Sequence, residues 1–147
     1  MRKKKELRVI VDTNLLISSA ISLNSLADQL IVSWKEDAFN LIISFEQLEE
    51  IKDVSKRKKF ASYPKFLDRI EELIKTLTFT AEIVKALPEK NLTLHSRDPD
   101  DDFLLRDALG GNADYLITGD EDLLLLKDNP DIGKLRIITV KDFLSLI

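Results

Sequence analysis

The sequence predicts an α/β fold in which helices cover both faces of a central parallel sheet of about five strands. Short apolar segments alternate with longer amphipathic segments along the chain, which is the pattern of a repeated strand–helix unit. The short segments are apolar at consecutive positions, as in strands that are buried on both faces of a sheet. At 147 residues the chain has the length of one domain, so we expect a single domain over residues 1–147.

Each predicted strand is a short apolar run that is followed by polar residues. The first, at 7–11, ends at Asp12, and the second, at 41–43, ends at Ser44. A weak third strand is expected at 81–84. The fourth, at 115–118, is followed by Gly119 and Asp120, and the fifth lies at 136–140.

Helices are expected in the segments between the strands, at 15–34, 44–54, 63–77, 98–110, 121–126 and 141–147. Ser44 can cap the second of these helices, with Gln47 completing a capping box. The third has apolar residues at i, i+3 and i+4 spacing, which is typical of a helix packed on a core. Asp98 followed by Pro99 is typical of a helix start, and Gly110 of a helix end.

The composition excludes several classes of site. The chain has no cysteine and a single histidine, His95, so disulfides, thiolate nucleophiles, zinc–thiolate and iron–sulfur sites are excluded. Any metal must be bound mainly by oxygen, which favours Mg²⁺ or Mn²⁺. No apolar run approaches the roughly 20 residues needed to cross a bilayer, and no apolar signal region follows Arg2 to Lys5. We therefore expect a soluble, cytoplasmic protein with no membrane partner.

Acidic residues are concentrated between Asp98 and Asp122, where nine carboxylates accompany one arginine, although the net charge of the chain is −4. In a parallel sheet the carboxyl ends of the strands lie along one edge, so polar residues that follow the strands are expected to meet there. These residues are Asp12, Ser44, Thr118 and Asp120. A crowd of carboxylates at such an edge is suited to a divalent cation.

Two further acids are expected to face inward from their helices. At 100° per residue, Asp101 points toward the apolar face of its helix, whereas Asp100 and Asp102 lie about 100° to either side. On the helix after Ser44, Glu50 lies nearest the apolar stripe. Each acid also has a structural alternative, because an aspartate in such positions can cap a helix or close a turn.

Taken in order, these motifs resemble those of the PIN-domain nucleases over nearly the whole chain. The matching elements are Val9-Ile-Val-Asp12-Thr-Asn14, Ser44 with Glu50, Asp101 opening a helix that contains Ala108, and Thr118-Gly-Asp120-Glu-Asp122. The run Asp98-Pro-Asp-Asp101 followed by Ala113-Asp-Tyr-Leu-Ile-Thr-Gly-Asp120 is similar to a branch that contains toxin components of type II toxin–antitoxin systems.

The resemblance implies a three-layer α/β/α PIN-like fold and an Mg²⁺- or Mn²⁺-dependent endoribonuclease. Its catalytic and metal-binding quartet would be Asp12, Glu50, Asp101 and Asp120. Asp122 would be a further metal ligand, and the supporting polar residues would be Asn14, Ser44 and Thr118. The implied partners are an RNA substrate, a cognate antitoxin protein and a second copy of the chain in a homodimer.

Several alternatives stay open at the level of the sequence. Asp100 or Asp102 could take the place of Asp101. The basic runs Lys56–Lys59 and Arg2–Lys5 could contact RNA phosphates or could be solvated segments. A HAD-like phosphatase also begins with a strand that ends in aspartate, but it requires a second aspartate two residues later, where this chain has Asn14. A non-catalytic PIN scaffold that binds protein or RNA is the other alternative.

Overall fold

The computed structural model describes residues 6–147, so the predicted RNA contacts of Arg2–Lys5 lie outside the described residues. Five strands form one sheet: β1 (Arg8–Val11), β2 (Asn40–Ile43), β3 (Glu82–Ile83), β4 (Tyr115–Ile117) and β5 (Arg136–Ile138). Their spatial order is β3-β2-β1-β4-β5, and every neighbouring pair is parallel. All five predicted strands are confirmed.

Seven α-helices are present in the described part of the chain: α1 (Thr13–Ile21), α2 (Leu26–Lys35), α3 (Phe45–Ser55), α4 (Phe66–Thr80), α5 (Asp102–Gly110), α6 (Glu121–Leu124) and α7 (Val140–Leu146). Short 3₁₀ turns occur at Lys58–Phe60, Glu89–Asn91, Pro99–Asp101, Leu125–Asp128 and Pro130–Ile132.

Alternate side chains of the strands enter two separate apolar cores, as the pleat of a strand requires. Val9 and Val11 of β1 pack with α1, α2, α3, α4 and α7 on one face of the sheet. Ile10 between them packs with α5 and α6 on the other face. The fold is therefore the predicted three-layer α/β/α arrangement.

The segment predicted as helical over 15–34 consists of two helices, α1 and α2. The chain turns at 22–25, where Asn24 has a positive φ of 62° and Ser25 caps α2 by accepting the backbone N–H of Asp28. No single helix of the described residues is long and apolar enough to cross a membrane. Helices α1 and α2 pass that test of length and composition only as a pair, and they are bent by 98° to each other.

The predicted capping box at α3 forms only in part. The hydroxyl of Ser44 accepts the backbone N–H of Gln47 at 3.1 Å, as predicted. The side chain of Gln47 does not return to Ser44, because it is fully buried and donates from Nε2 to the carbonyl of Val11 at 2.7 Å and to Thr13 Oγ1 at 3.4 Å. Gln47 thus fastens α3 to the residues on both sides of Asp12.

The strand order places a crevice between β1 and β4 at the carboxyl edge of the sheet. From β1 the chain builds outward to β2 and β3, then returns to the other side of β1 as β4 and β5. Val11 is paired with Ile117, so the residues that follow them, Asp12 and Thr118, lie side by side. Ligand sites of open parallel sheets form where the strand order reverses in this way.

Candidate metal centre

The side chain of Asp12 lies at the end of β1 between two hydrogen-bond donors. Its Oδ1 accepts the backbone N–H of Asn14 at 3.0 Å and so caps α1, while its Oδ2 accepts the hydroxyl of Thr118 at 2.7 Å. The Thr118 oxygen in turn accepts the backbone N–H of Asp120 at 3.0 Å. Because Thr118 is fully buried, it fixes Asp12 and Asp120 relative to each other.

A compact group of carboxylates forms where the start of α5 meets the loop after β4. Among residues 6–147, the one group of three acidic side chains whose oxygens all lie within 4.8 Å of one another is Asp101, Asp120 and Asp122. Burial, followed by the nearby charge of Asp120, raises the pKa of Asp101 to about 7. Carboxylates this close repel one another, and a cation or a shared proton relieves that repulsion.

The geometry favours Asp101 over both of its neighbours as the third acid. Asp102 is engaged elsewhere, since its two oxygens accept from His95 Nδ1 at 2.8 Å and from the backbone N–H of Ser96 at 2.9 Å. Asp100 also lines the cleft but is exposed and lies outside the group of three, and its backbone N–H donates to the capping carboxylate of Asp98 at 3.0 Å. The helix opens with the 3₁₀ turn Pro99–Asp101, and this turn directs Asp101 toward Asp120.

A cleft opens beside these carboxylates and is lined by Asp12 and Asp101. Glu50 lines the same cleft from α3 but lies outside the compact group of three. It is half-buried, whereas Glu46 and Glu49 on the same helix are exposed. The pKa of Glu50 is raised, chiefly by burial and further by the charge of Asp12, although a hydrogen bond from Thr13 counteracts both effects. Glu50 therefore lies close enough to Asp12 for their charges to interact.

Asp122 belongs to the compact group but already has a cationic partner. Its Oδ1 accepts from Nε of Arg97 at 2.9 Å and from Nη2 at 2.6 Å. Arg97, which no motif in the sequence marks, thus partly neutralises Asp122, a predicted metal ligand. Asn14, predicted as a supporting residue, is exposed and lines the cleft beside Asp12.

Ser44 was predicted as a supporting polar residue, but its hydroxyl bonds to residues outside the compact group of carboxylates. It donates to Asp107 Oδ2 at 2.7 Å while accepting the N–H of Gln47. Asp107 is 1% exposed, and burial raises its pKa to about 6. The sequence did carry a signal for Asp107, since it lies at about 40° on the helical wheel, between Phe103 at 0° and Leu104 at 100°.

The donor set fits a hard divalent cation. Every candidate ligand is a carboxylate oxygen, the type of ligand that Mg²⁺ and Mn²⁺ prefer. Burial raises the pKa of Asp101 first, and the charge of Asp120 raises it further, so a bound cation would favour the ionised form of this carboxyl. Asp101, Asp120 and Asp122 are the residues best placed to hold such an ion, and Asp12, which lies outside this group of three, is linked to Asp120 through the hydroxyl of Thr118.

Comparisons with known proteins identify the family and the fold of the chain. The protein MJ1680 of Methanocaldococcus jannaschii, described as uncharacterized, is 27% identical over 149 residues, which cover 97% of this chain and 93% of that protein. The crystal structure of PAE2754 from Pyrobaculum aerophilum has a TM-score of 0.58 at 14% identity, over 95% of this chain and 88% of the other, and shows likeness of fold alone. A family model for the PIN domain matches residues 8–122, a range that contains all of the candidate acids. The chain therefore belongs to the PIN domain family.

Proposed function

We propose that this protein is an Mg²⁺- or Mn²⁺-dependent endoribonuclease that hydrolyses phosphodiester bonds of RNA. PIN domains are generally nucleases and generally use divalent metal ions. The single observation that carries the proposal is the convergence of Asp101, Asp120 and Asp122 within 4.8 Å. Asp12 joins them through the buried hydroxyl of Thr118.

In this proposal each residue of the site has a distinct task. Asp12, Asp101 and Asp120 hold the metal ion, and Thr118 keeps two of these carboxylates in register. A divalent ion bound there supplies Lewis-acid chemistry, which activates water and neutralises charge that develops on the phosphodiester. Glu50, whose pKa is raised by burial, accepts a proton from the attacking water at a carboxylate oxygen.

The test is removal of single charges from the acid site, by which we mean Asp12, Asp101, Asp120 and Asp122. We expect Asp12→Asn and Asp120→Asn to abolish Mn²⁺-dependent cleavage of RNA while the fold is retained or stabilised, because repulsion between carboxylates is relieved. Cleavage is measured on a broad panel of RNAs by gel electrophoresis, and folding by circular dichroism. Asp68→Asn, at an exposed position on α4, removes the same charge away from the site and should leave cleavage unchanged.

Two results would contradict the nuclease proposal. One is wild-type protein that cleaves no RNA of the panel in Mg²⁺ or Mn²⁺. The other is cleavage that EDTA does not affect. A non-catalytic scaffold predicts neither Mn²⁺ binding nor any effect of Asp12→Asn on function, and a HAD-like phosphatase predicts a phosphorylated Asp12, although Asn14 stands where that mechanism requires an aspartate.

The resemblance in Asp98–Asp101 and Ala113–Asp120 supports a finer proposal, in which the enzyme is the toxin of a type II toxin–antitoxin system. It would then form a homodimer and be inhibited by a cognate antitoxin. A short open reading frame next to the gene should encode that antitoxin, and its co-expression should suppress the growth defect caused by the nuclease. Absence of any such neighbour would count against the toxin role and leave the nuclease proposal standing.

A further inference from the structure

A cleft of about 430 Å³ opens beside the acid site. Asp12, Glu50 and Asp101 line it, and among its lining residues Arg57 is the one cation. The remaining lining residues are Asn14, Val54, Asp100, Phe103 and Leu104. A polyanionic strand that enters this cleft therefore meets several carboxylates and a single guanidinium.

The guanidinium of Arg57 is not held in a close ion pair within residues 6–147. The ion pairs of this part of the chain involve other cations, and Arg57 takes part in none of them. By contrast Arg97, the other arginine at the site, is held by Asp122 at 2.6 Å. The charge of Arg57 lowers the pKa of Glu50, but burial outweighs it and the pKa of Glu50 stays raised.

The backbone beneath Arg57 is anchored although its side chain is exposed. Its N–H donates to the carbonyl of Val54 at 3.1 Å, and its carbonyl accepts the N–H of Phe60 at 3.1 Å. Phe60 is buried and stacks on Phe66 with ring centroids 4.8 Å apart. Arg57 is thus presented at a fixed place beside the cleft, unlike a side chain on a loose basic tail.

A phosphodiester next to the carboxylates needs a cationic contact of the protein in addition to any metal ion. A guanidinium binds a phosphate bidentately and holds its orientation, which a lysine ammonium does not. We propose that Arg57 is a positioning residue that binds a backbone phosphate of RNA adjacent to the bond to be cleaved. This inference rests on the proposed nuclease function, and it assigns the neighbouring Lys58 no more than a diffuse electrostatic role.

The experiment compares Arg57→Gln with Lys58→Gln, which removes the same charge one residue away, outside the cleft lining. Binding of a fluorescein-labelled RNA oligonucleotide is measured by anisotropy at several salt concentrations, in the cleavage-deficient Asp120→Asn protein. We expect Arg57→Gln to weaken binding about tenfold and to reduce the slope of log K against log salt by about one. Lys58→Gln should weaken it less than about threefold. Arg57→Lys should restore the slope but only part of the affinity.

Steady-state kinetics on the otherwise wild-type chain give a second measurement. Arg57→Gln should lower kcat/KM by about tenfold or more, and Arg57→Lys should recover part of the loss. Equal effects of Arg57→Gln and Lys58→Gln would overturn the proposal, as would Asp120→Asn protein that binds no RNA. RNA binding that depends on Arg57 in a protein that cleaves nothing would support the role of Arg57 and refute the nuclease function. Metal-dependent cleavage that Arg57→Gln does not change would support the nuclease function and refute the role of Arg57.

Discussion

Two aspartates near the start and middle of α5 have raised pKa values in different surroundings. Asp101 is half-exposed. Burial raises its pKa most, and the next largest cause is the charge of Asp120, which lies in the same compact group of carboxylates. Asp107 is buried, and its carboxylate accepts the hydroxyl of Ser44 at 2.7 Å. A bound cation can relieve the charge repulsion at Asp101. Asp107 is shielded from solvent, and it takes part in none of the ion pairs among residues 6–147.

Asp107 makes stability depend on pH in a predictable direction. Its pKa is about 6 in the folded protein against 3.8 in the unfolded chain, so the folded state binds this proton more tightly. The contribution of Asp107 to the free energy of unfolding therefore rises as the pH falls from about 6 toward 4, by up to ~1.4 kcal/mol per pH unit. Asp107→Asn removes this titration while keeping an acceptor for the hydroxyl of Ser44.

The measurement is urea unfolding of wild type and Asp107→Asn at pH 8, 6 and 4 in EDTA. The variant should gain stability relative to wild type as the pH rises from 4 to 8, by about 1–3 kcal/mol in total. Asp68→Asn, at an exposed site, should show almost no such trend. A stability difference for Asp107→Asn that is the same at every pH would show that Asp107 does not titrate in this range.

At the scale of elements, α5 is placed by the contacts of two adjacent residues, Arg106 and Asp107. The pair Ser44–Asp107 joins it to the start of α3, and so ties the helix that follows Asp101 to the helix that carries Glu50. At the preceding residue, Arg106 Nε donates to the carbonyl of Leu87 at 2.8 Å, while the N–H of Leu87 donates to the carbonyl of Arg106 at 2.8 Å. The position of Asp101 therefore depends on the connection that precedes α5 as well as on the sheet.

Gly110 allows the end of α5 to approach that connection. A Cβ at this position would collide with the backbone of Lys85 and Leu87 and would lie 2.7 Å from the carbonyl carbon of Ala86. Gly110→Ala should therefore destabilise the protein by about 2–4 kcal/mol, since backbone atoms cannot move aside as a side chain can. Gly119→Ala is the control, because a Cβ there meets nothing within 4 Å. Thermal denaturation that ranks the two variants equally would contradict this packing argument.

At the scale of the whole molecule, the strand order decides which acids meet. Asp12 follows β1 and Asp120 follows β4, which are neighbours in the sheet although their paired residues Val11 and Ile117 are 106 positions apart in the sequence. The packed layers on both faces hold these carboxylates together against their mutual repulsion. A divalent ion that binds only the folded arrangement must then stabilise the whole fold.

Removal and addition of metal test this linkage. We expect Mn²⁺ in excess to raise the Tm of EDTA-treated protein by about 5 °C at pH 8, and by less at pH 6. The decrease follows because the pKa of Asp101 is about 7, so that protons compete with the ion below that pH. Asp101→Asn should show little shift at either pH. A shift of equal size in wild type and Asp101→Asn would place the ion elsewhere.

Much of the architecture is encoded locally and could be predicted from the sequence. The continuous apolar run of β1 and the turn chemistry at Asp98 and Pro99 act within a few residues, so they predict the strand and the helix start without knowledge of the rest. The helical wheel placed Asp101 inward, and the structure directs it toward Asp120. The catalytic and metal-binding roles of these acids stay predictions, which the variants above test.

Only the tertiary structure decided the contacts that join distant segments. Ser44 and Asp107 are 63 residues apart, and Gln47 and Val11 are 36 apart, so their hydrogen bonds exist only once the strand order and the helix faces are set. The pairing of Arg97 with Asp122 likewise depends on where the connection before α5 passes the loop after β4. By itself the sequence determined where the five strands and most of the helices lie, because those signals are short-range. The fold determined which of their side chains meet, because hydrogen bonding and charge repulsion depend on distance in space.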